Sequence, residues 1–233
     1  MQNSTDITII LDRSGSMDSC KTDTIGGFNS FVQQQRSTGV PTVITLVQFD
    51  NVNPYDVIYN ATPINMTSDL TSEKYTPRGL TPLLDAIGTG IKQTGYRLSY
   101  TPESQRPNVV IFVIITDGLE NHSTNYTRQE IFDMVSHQRD KYNWQFVFLG
   151  ANQDAIAEAA RYNIPTMAAI TYDTKRTRSA YRSLGNLVAF ASESGGAATI
   201  GRTTGFTTED RINALDTVSG DPVTITTTTT TSK

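Results

Sequence analysis

The chain has 233 residues, of which 37% are hydrophobic and 18% charged, so it can bury a core as one large domain or as one domain with an extension. Its net charge of −4, with no run of Lys and Arg, argues against nucleic acid as a partner, because phosphate binding requires a basic patch. The single cysteine, Cys20, excludes an internal disulfide and a zinc site of paired Cys and His ligands.

No segment resembles a membrane anchor or an export signal. The apolar runs fall well short of the ~20 residues that a membrane span needs. A hydrophobic strand follows the first polar residues without a basic leader. We therefore expect no membrane span and a cytoplasmic location.

The first part of the chain predicts two strands around a helix, followed by a hairpin. The apolar run Ile7–Leu11 is typical of a buried strand, and hydrophobic residues spaced three and four apart over 25–32 indicate an amphipathic helix. Residues Thr42–Phe49 are rich in β-branched side chains and predict a second strand. A third strand, about Tyr55–Ala61, follows after only five residues, whereas a parallel crossover needs about a dozen. It should therefore pair antiparallel.

The middle of the chain predicts a helix, a central strand and a second helix. Apolar spacing over 84–91, with Pro82 suited to a first turn, predicts the first of these helices. The solid apolar run Val109–Ile115 is typical of a strand covered on both faces. Thr127 and Glu130 form a capping-box pattern, which predicts a helix beginning there.

The last elements repeat the alternation of strand and helix. Residues Phe146–Leu149 predict a buried strand, and Asp154 can cap the alanine-rich helix Ala155–Arg161. Thr166–Thr171 is the predicted last strand, and a final helix spans 180–191. The alternation predicts an α/β sandwich, with a largely parallel sheet between two helix layers. Ligands of such folds bind beyond the carboxyl ends of the strands.

We assign this sandwich to residues 1–194 and treat residues 195–233 as a Thr-rich C-terminal extension. The extension has few large apolar side chains, although a short helix over Glu209–Leu215 is possible. The segment from Val223 onwards has β-propensity but little to bury. It is either a flexible tail or a strand added to an assembly.

Three polar segments follow or precede elements that meet at one edge of the predicted sheet. Asp12, Ser14 and Ser16 follow the first strand, Asp117 follows the central strand, and Thr81 precedes a helix. Together they offer two carboxylates and three hydroxyls, and every donor is oxygen. Such hard donors suit Mg²⁺, Mn²⁺ or Ca²⁺ rather than zinc or copper.

The pattern Asp-x-Ser-x-Ser, with a later Thr and a later Thr-Asp-Gly, resembles the metal-ion-dependent adhesion site of von Willebrand factor A domains, including integrin I domains. The resemblance covers roughly residues 6–193. It implies a Rossmann-like α/β fold with one antiparallel edge strand, and protein binding rather than enzymatic activity. It also implies that the metal ligands are Asp12, Ser14, Ser16, Thr81 and Asp117.

The leading hypothesis is a metal-dependent protein-interaction domain. A Mg²⁺ ion with few charged ligands is incompletely neutralised, so it can bind an Asp or Glu carboxylate of a partner. One alternative is a structural component of a larger assembly, such as a phage virion, that uses the Thr-rich extension. A lesser alternative is a Mg²⁺-dependent phosphohydrolase, although Ser14 stands where such an enzyme needs a second acid and no Gly-rich phosphate loop is present.

Residues near the predicted ligands receive simpler interpretations. Gly15 should permit a sharp turn, and Asp18 should cap the first helix. Asp85 either supports the metal site or lies on a solvated helix face. Glu120 and Asn121 should be solvated loop residues, with a place on the surface that a partner contacts as the alternative. Arg13 and Arg78 could help to attract an acidic partner.

Overall fold

A computed structural model describes residues 3–215, which fold around one six-stranded sheet. Its strands are β1 (Thr5–Asp12), β2 (Thr42–Phe49), β3 (Asp56–Pro63), β4 (Val109–Thr116), β5 (Gln145–Ala151) and β6 (Ala169–Tyr172). Their spatial order is β3-β2-β1-β4-β5-β6, in which only β3 runs antiparallel to its neighbour. The predicted mixed sheet with one antiparallel edge strand is confirmed.

The two central strands form the interior of the sheet. Every residue of β1 and of β4 is buried, as the solid apolar run of β4 predicts. Burial of successive side chains, which point to opposite faces, requires that both faces of the sheet be covered. This agrees with a three-layer Rossmann-like sandwich.

Six helices cover the sheet within the described residues. They are α1 (Lys21–Ser37), α2 (Leu83–Tyr100), α3 (Arg128–Tyr142), α4 (Ala155–Ala160), α5 (Thr177–Glu193) and α6 (Thr208–Ala214). Helix α1 packs on α5, and α2 packs on α3. A side chain at Gly27 would collide with Tyr181, since a Cβ there would lie 2.5 Å from its ring, so Gly27 allows the close approach of α1 and α5.

The capping predictions have mixed outcomes. The capping box of Thr127 and Glu130 at the start of α3 and the Asp154 cap of α4 are both confirmed. The expected cap at Asp18 is wrong, because the chain first forms a 3-10 helix over Gly15–Cys20 and α1 begins only at Lys21. Asp18 therefore lies inside that short helix, where its side chain is exposed.

The last strand is shorter than predicted. Residues Thr166–Ala168 form a 3-10 turn after Pro165, and β6 begins only at Ala169. The turn follows from the fixed φ of proline, which favours turn geometry at this point.

Residues 195–215 pack on the sandwich, and the short helix expected near residue 209 is confirmed as α6. Ile200, Phe206 and Ala214 are buried in the same core as the sheet, and the Phe206 amide donates to the Met167 carbonyl at 2.8 Å. The domain boundary at residue 194 stays a prediction, and the β-prone segment from Val223 lies outside the described residues. No helix in 3–215 is both long and apolar enough to cross a membrane.

Candidate metal centre

The candidate site lies where the strand connections diverge. The chain leaves β1 toward β2 on one side, whereas it leaves β4 toward β5 on the other. This divergence opens a crevice beyond the carboxyl ends of β1 and β4, the usual ligand position in such sheets. Asp12 is the last residue of β1, and Asp117 directly follows β4.

A continuous set of short hydrogen bonds joins four of the five predicted ligands. The Asp12 Oδ1 atom accepts from the Ser14 amide at 2.6 Å, and the Ser14 and Ser16 hydroxyls lie 3.1 Å apart. The Ser16 hydroxyl donates to Asp117 Oδ1 at 2.6 Å, across 101 positions of sequence. The ends of β1 and β4 are therefore joined through side chains that could instead face one ion.

The fifth predicted ligand, Thr81, reaches the same place from the loop before α2. A Cβ built on Gly118 would lie 3.2 Å from the Thr81 hydroxyl and 3.7 Å from the Ser16 hydroxyl, so both oxygens border Gly118. The structure thus brings all five side chains to one edge of the sheet. Their role as metal ligands stays a prediction.

Unusual backbone angles occur in the loop that leads to Thr81 and not, as expected, in the turn after Asp12. Gly15 has no positive φ, whereas Gly79, two residues before Thr81, has a φ of +69°. Gly79 accepts a hydrogen bond from the Gly15 amide at 3.1 Å, and a Cβ on it would overlap the Asn51 side chain. Only glycine therefore fits at position 79.

The predicted ligands differ in their solvent exposure. The Asp12 side chain is fully buried, and Ser14 and Thr81 are nearly so. Asp117 is half-buried and Ser16 is exposed. An approaching group would therefore meet Ser16 and Asp117 first, with Asp12 at the bottom of the site.

The electrostatics of the site favour a bound cation. Burial raises the pKa of Asp12 to about 7, against the lowering effect of hydrogen bonds from Thr116 and Ser14. Burial also raises the pKa of Asp117, against the hydrogen bond from Ser16. In residues 3–215 no Lys or Arg forms an ion pair with either carboxylate. A divalent cation would supply the missing positive charge.

The donor chemistry fits a hard ion and not a thiophilic one. Within the described part of the chain, no three His, Cys, Asp or Glu side chains cluster so as to hold a metal. A metal at this edge would therefore depend on the three hydroxyls as well as on Asp12 and Asp117. Such an all-oxygen set suits Mg²⁺, Mn²⁺ or Ca²⁺.

Several residues that position the ligands were not predicted from the sequence. Thr116 donates to Asp12 Oδ2 at 2.6 Å, and the buried Tyr75 hydroxyl donates to the Asp12 carbonyl at 2.7 Å. The Asn121 side chain accepts from the Thr81 amide at 2.9 Å. Thr116 could have been found because it precedes Asp117 in the motif, whereas Tyr75 lies in an irregular polar segment.

Two acidic residues near the site are structural anchors: Glu120, which was expected to be solvated, and Asp85, for which a supporting role and a solvated position were both open. Glu120 accepts from the Leu84 amide at the start of α2, and from the backbone and side chain of Ser123. Asp85 is buried and accepts from the amides of residues 124–126. Together they attach the loop after β4 to the start of α2. This attachment holds Thr81, just before α2, near Asp117.

The expectation that Arg13 attracts a partner is wrong. Its side chain is buried and turns away from the site, donating to Asp50, Gln48 and Asp56. Arg13 instead ties the end of β1 to the β2–β3 hairpin. Because its charge is balanced by Asp50 and Asp56, it does not neutralise Asp12.

These features define an α/β domain with a candidate divalent-cation site at the carboxyl edge of its sheet. No protein-family model matches the chain, and no curated protein is significantly similar in sequence. Many solved structures do match. Proximal thread matrix protein 1 from the mussel byssus matches with a TM-score of 0.57 and 14% identity, covering 80% of this chain and 46% of that one.

Two bacterial proteins match similarly. A von Willebrand factor type A protein from Catenulispora acidiphila gives a TM-score of 0.56 and 16% identity over 81% of this chain and 43% of that one. The pilus adhesin SpaC from Lactobacillus rhamnosus GG matches with a TM-score of 0.54 and 13% identity, covering 80% of this chain and 31% of that one. The chain thus has the von Willebrand factor A fold, and it spans less than half the length of these proteins.

One of these comparisons concerns metal directly. A further structure of the mussel protein has zinc in its metal-ion-dependent adhesion site and matches with a TM-score of 0.54 and 18% identity, over 81% of this chain and 46% of that one. At such identities the likeness shows the fold alone. The metal belongs to that protein and does not by itself assign a metal to this chain.

Proposed function

We propose that this chain is a metal-dependent protein-interaction domain whose cation binds an Asp or Glu carboxylate of a partner. The cation would be Mg²⁺, or alternatively Mn²⁺ or Ca²⁺, held by Asp12, Ser14, Ser16, Thr81 and Asp117. The observation that carries the proposal is the buried Asp12 carboxylate, which has only neutral hydrogen-bond donors within this cluster of oxygens. When bound, the cation supplies positive charge and a coordination position open to a partner.

The arrangement of the two carboxylates explains why binding would depend on metal. Without a cation, Asp12 and Asp117 have no cationic partner among residues 3–215, so the site offers no positive charge to an acidic partner. Ser16 and Asp117 are the accessible members of the set, so a partner would approach from their side. The adhesin and the zinc-containing byssus protein that share the fold support this class of function.

Metal binding is tested first, with isothermal titration calorimetry and thermal unfolding in Mg²⁺ or Mn²⁺. We expect Asp12→Ala to lose the heat of binding and the metal-induced rise in Tm. Asp18→Ala is the matched control, since Asp18 is exposed nearby and is not a predicted ligand. Equal metal binding by wild type and Asp12→Ala would contradict the proposed site.

Partner binding is tested by pull-down with wild type and Asp12→Ala, each with Mg²⁺ and with EDTA. We expect retention of the partner only by wild type in Mg²⁺. A partner retained equally in all four conditions removes metal from the mechanism.

The two alternatives make different predictions in the same samples. Asp12-dependent turnover of a phosphate ester would favour the phosphohydrolase. Self-assembly that persists in EDTA and requires residues 195–233 would favour a structural role in an assembly, such as a virion.

A further inference from the structure

The loops around the candidate metal centre expose large apolar side chains. Val52 lies in the β2–β3 loop, Leu80 lies directly before Thr81, and Leu119 lies two residues after Asp117. Their exposed fractions are 67%, 45% and 55%. Leu80 and Leu119 are also the only exposed leucines among residues 3–215, and both flank predicted ligands. We call these three residues the apolar rim.

Hydrogen bonds hold the Val52 and Leu80 loops together. The Asn51 side chain accepts from the Leu80 amide at 2.7 Å. The adjacent Val52 amide donates to the buried Asp50 carboxylate, also at 2.7 Å. Because Asp50 is fixed by Arg13, this side of the rim is attached to the end of β1.

The Leu119 loop is held against the Thr81 segment in the same way. The Asn121 amide donates to the Thr81 carbonyl at 3.2 Å, and the Asn121 side chain accepts from the Thr81 amide. Gly118, next to Leu119, borders the Thr81 hydroxyl. The three apolar residues therefore border the candidate site on loops that hydrogen bonds join to the ligand segments.

A fixed exposed apolar rim around a polar site is typical of a recognition surface. The metal-dependent carboxylate contact alone would not distinguish one acidic group from another. An apolar side chain beside the carboxylate would lose its water-exposed surface against the rim, and this adds both affinity and specificity. The location of the rim, continuous with the candidate metal centre, indicates a single partner segment that contacts both.

We propose that the partner is a peptide segment in which the acidic residue is flanked by Leu, Ile, Met or Phe, whose side chain packs on Val52, Leu80 and Leu119. This inference rests on the proposed function, because it takes the cation and the partner carboxylate as the anchor. It adds the chemistry of the residues beside that carboxylate.

The first test is a selection from displayed nine-residue peptides with a fixed central Asp or Glu and random flanks. The immobilised chain is loaded in Mn²⁺, and bound peptides are eluted with EDTA. We expect enrichment of large apolar residues within two positions of the acid. Synthetic peptides with a Leu flank should bind about fivefold to tenfold more tightly than their Ser-flanked counterparts.

The second test locates that preference on the rim. Leu80→Gln and Leu119→Gln should each reduce the preference for Leu over Ser flanks to less than about twofold, and Mn²⁺ affinity should be unchanged. Met66→Gln is the control, because Met66 is 76% exposed and follows β3 at the opposite edge of the sheet. It should keep the full preference.

The outcomes separate the two proposals. Metal-dependent binding of acidic peptides without any preference for apolar flanks, or a preference that survives both leucine substitutions, overturns the role of the rim and leaves the metal proposal intact. No EDTA-sensitive binding of any acidic peptide, despite measurable Mn²⁺ binding, contradicts the acidic partner and the rim together.

Discussion

Two buried carboxylates, Asp12 and Asp50, lie next to each other at the ends of neighbouring strands, but they have different hydrogen-bond partners. Asp12 ends β1, where it lies opposite Phe49 of β2, and Asp50 is the next residue after Phe49. Both side chains are fully buried. Asp50 accepts from Arg13 and Arg78 as well as from two backbone amides, whereas Asp12 accepts only from neutral donors.

The difference in partners explains the opposite directions of their pKa shifts. Burial dominates at Asp12 and raises its pKa to about 7. At Asp50 burial also acts to raise the pKa, but hydrogen bonds from the Asn53 amide, Arg13 and the Val52 amide outweigh it and lower the pKa. Asp50 thus belongs to a self-sufficient structural network, and Asp12 belongs to the site where we propose that an external cation binds.

Replacement of Asp50, the structural carboxylate, should cause a large loss of folding stability. Asp50→Asn leaves the buried Arg13 guanidinium without its main partner, and breaking such a pair lowers the free energy of unfolding by about 3–5 kcal/mol. Urea unfolding should show this loss equally with Mg²⁺ and with EDTA. Asp56→Asn is the control, since Asp56 is about one-third exposed and its pair with Arg13 contributes roughly 1 kcal/mol or less. Equal losses in both variants would contradict the special position of Asp50.

The second effect belongs to Asp12 and should appear in metal binding rather than in stability. Asp12→Asn should weaken Mg²⁺ or Mn²⁺ by more than the ~10- to 100-fold typical of losing a residue that only orients a ligand. In EDTA the variant should be at least as stable as wild type, because it removes a buried charge that has no cationic partner. A marked loss of stability in EDTA would mean that Asp12, like Asp50, is structural, and the comparison would fail.

The sequence predicts Asp12 as a ligand but carries no signal for the role of Asp50. Strand periodicity places Asp12 at the end of a buried strand, and the spacing to Ser14 and Ser16 then indicates an oxygen site. Asp50 follows a strand in the same way but belongs to no motif. Its partners Arg13 and Arg78 come from loops whose meeting depends on the positive φ of Gly79.

The helices and strands were predictable because their signals are local in the sequence. The apolar run of β4 and the capping box of α3 are local patterns, so they identify a strand and a helix without knowledge of the fold. The anchoring roles of Asp85 and Tyr75 depend on groups 39 and 63 positions away, respectively, which periodicity cannot relate. Arg13 is a similar case. Its position between Asp12 and Ser14 suggests a site residue, but its hydrogen bonds to Asp50 and Asp56 make it structural.

A smaller effect should come from the residue that holds Asp12 in place. Thr116→Val removes the hydroxyl that donates to Asp12 Oδ2 and should weaken Mn²⁺ binding by about 10-fold, toward the lower end for an orienting residue. Thr116→Ser keeps the hydroxyl and should restore most of the affinity in the same calorimetric titration. If Ser behaves like Val, packing of the Thr116 methyl group rather than its hydrogen bond is what supports the site.

The acid dependence of stability should differ least between the variants, and it tests the role of Asp50. Because the pKa of Asp50 is lower in the folded chain, its contribution to stability is present above the unfolded value of about 4 and is lost as the pH falls through the folded pKa. In urea unfolding with EDTA, wild type should therefore lose more stability between about pH 5 and pH 2 than Asp50→Asn, which lacks this titration. EDTA is needed because metal binding has its own pH dependence. Equal acid slopes for the two proteins would show that the arginines and amides around Asp50 do not stabilise its charged form, and the contrast with Asp12 would then lose its electrostatic basis.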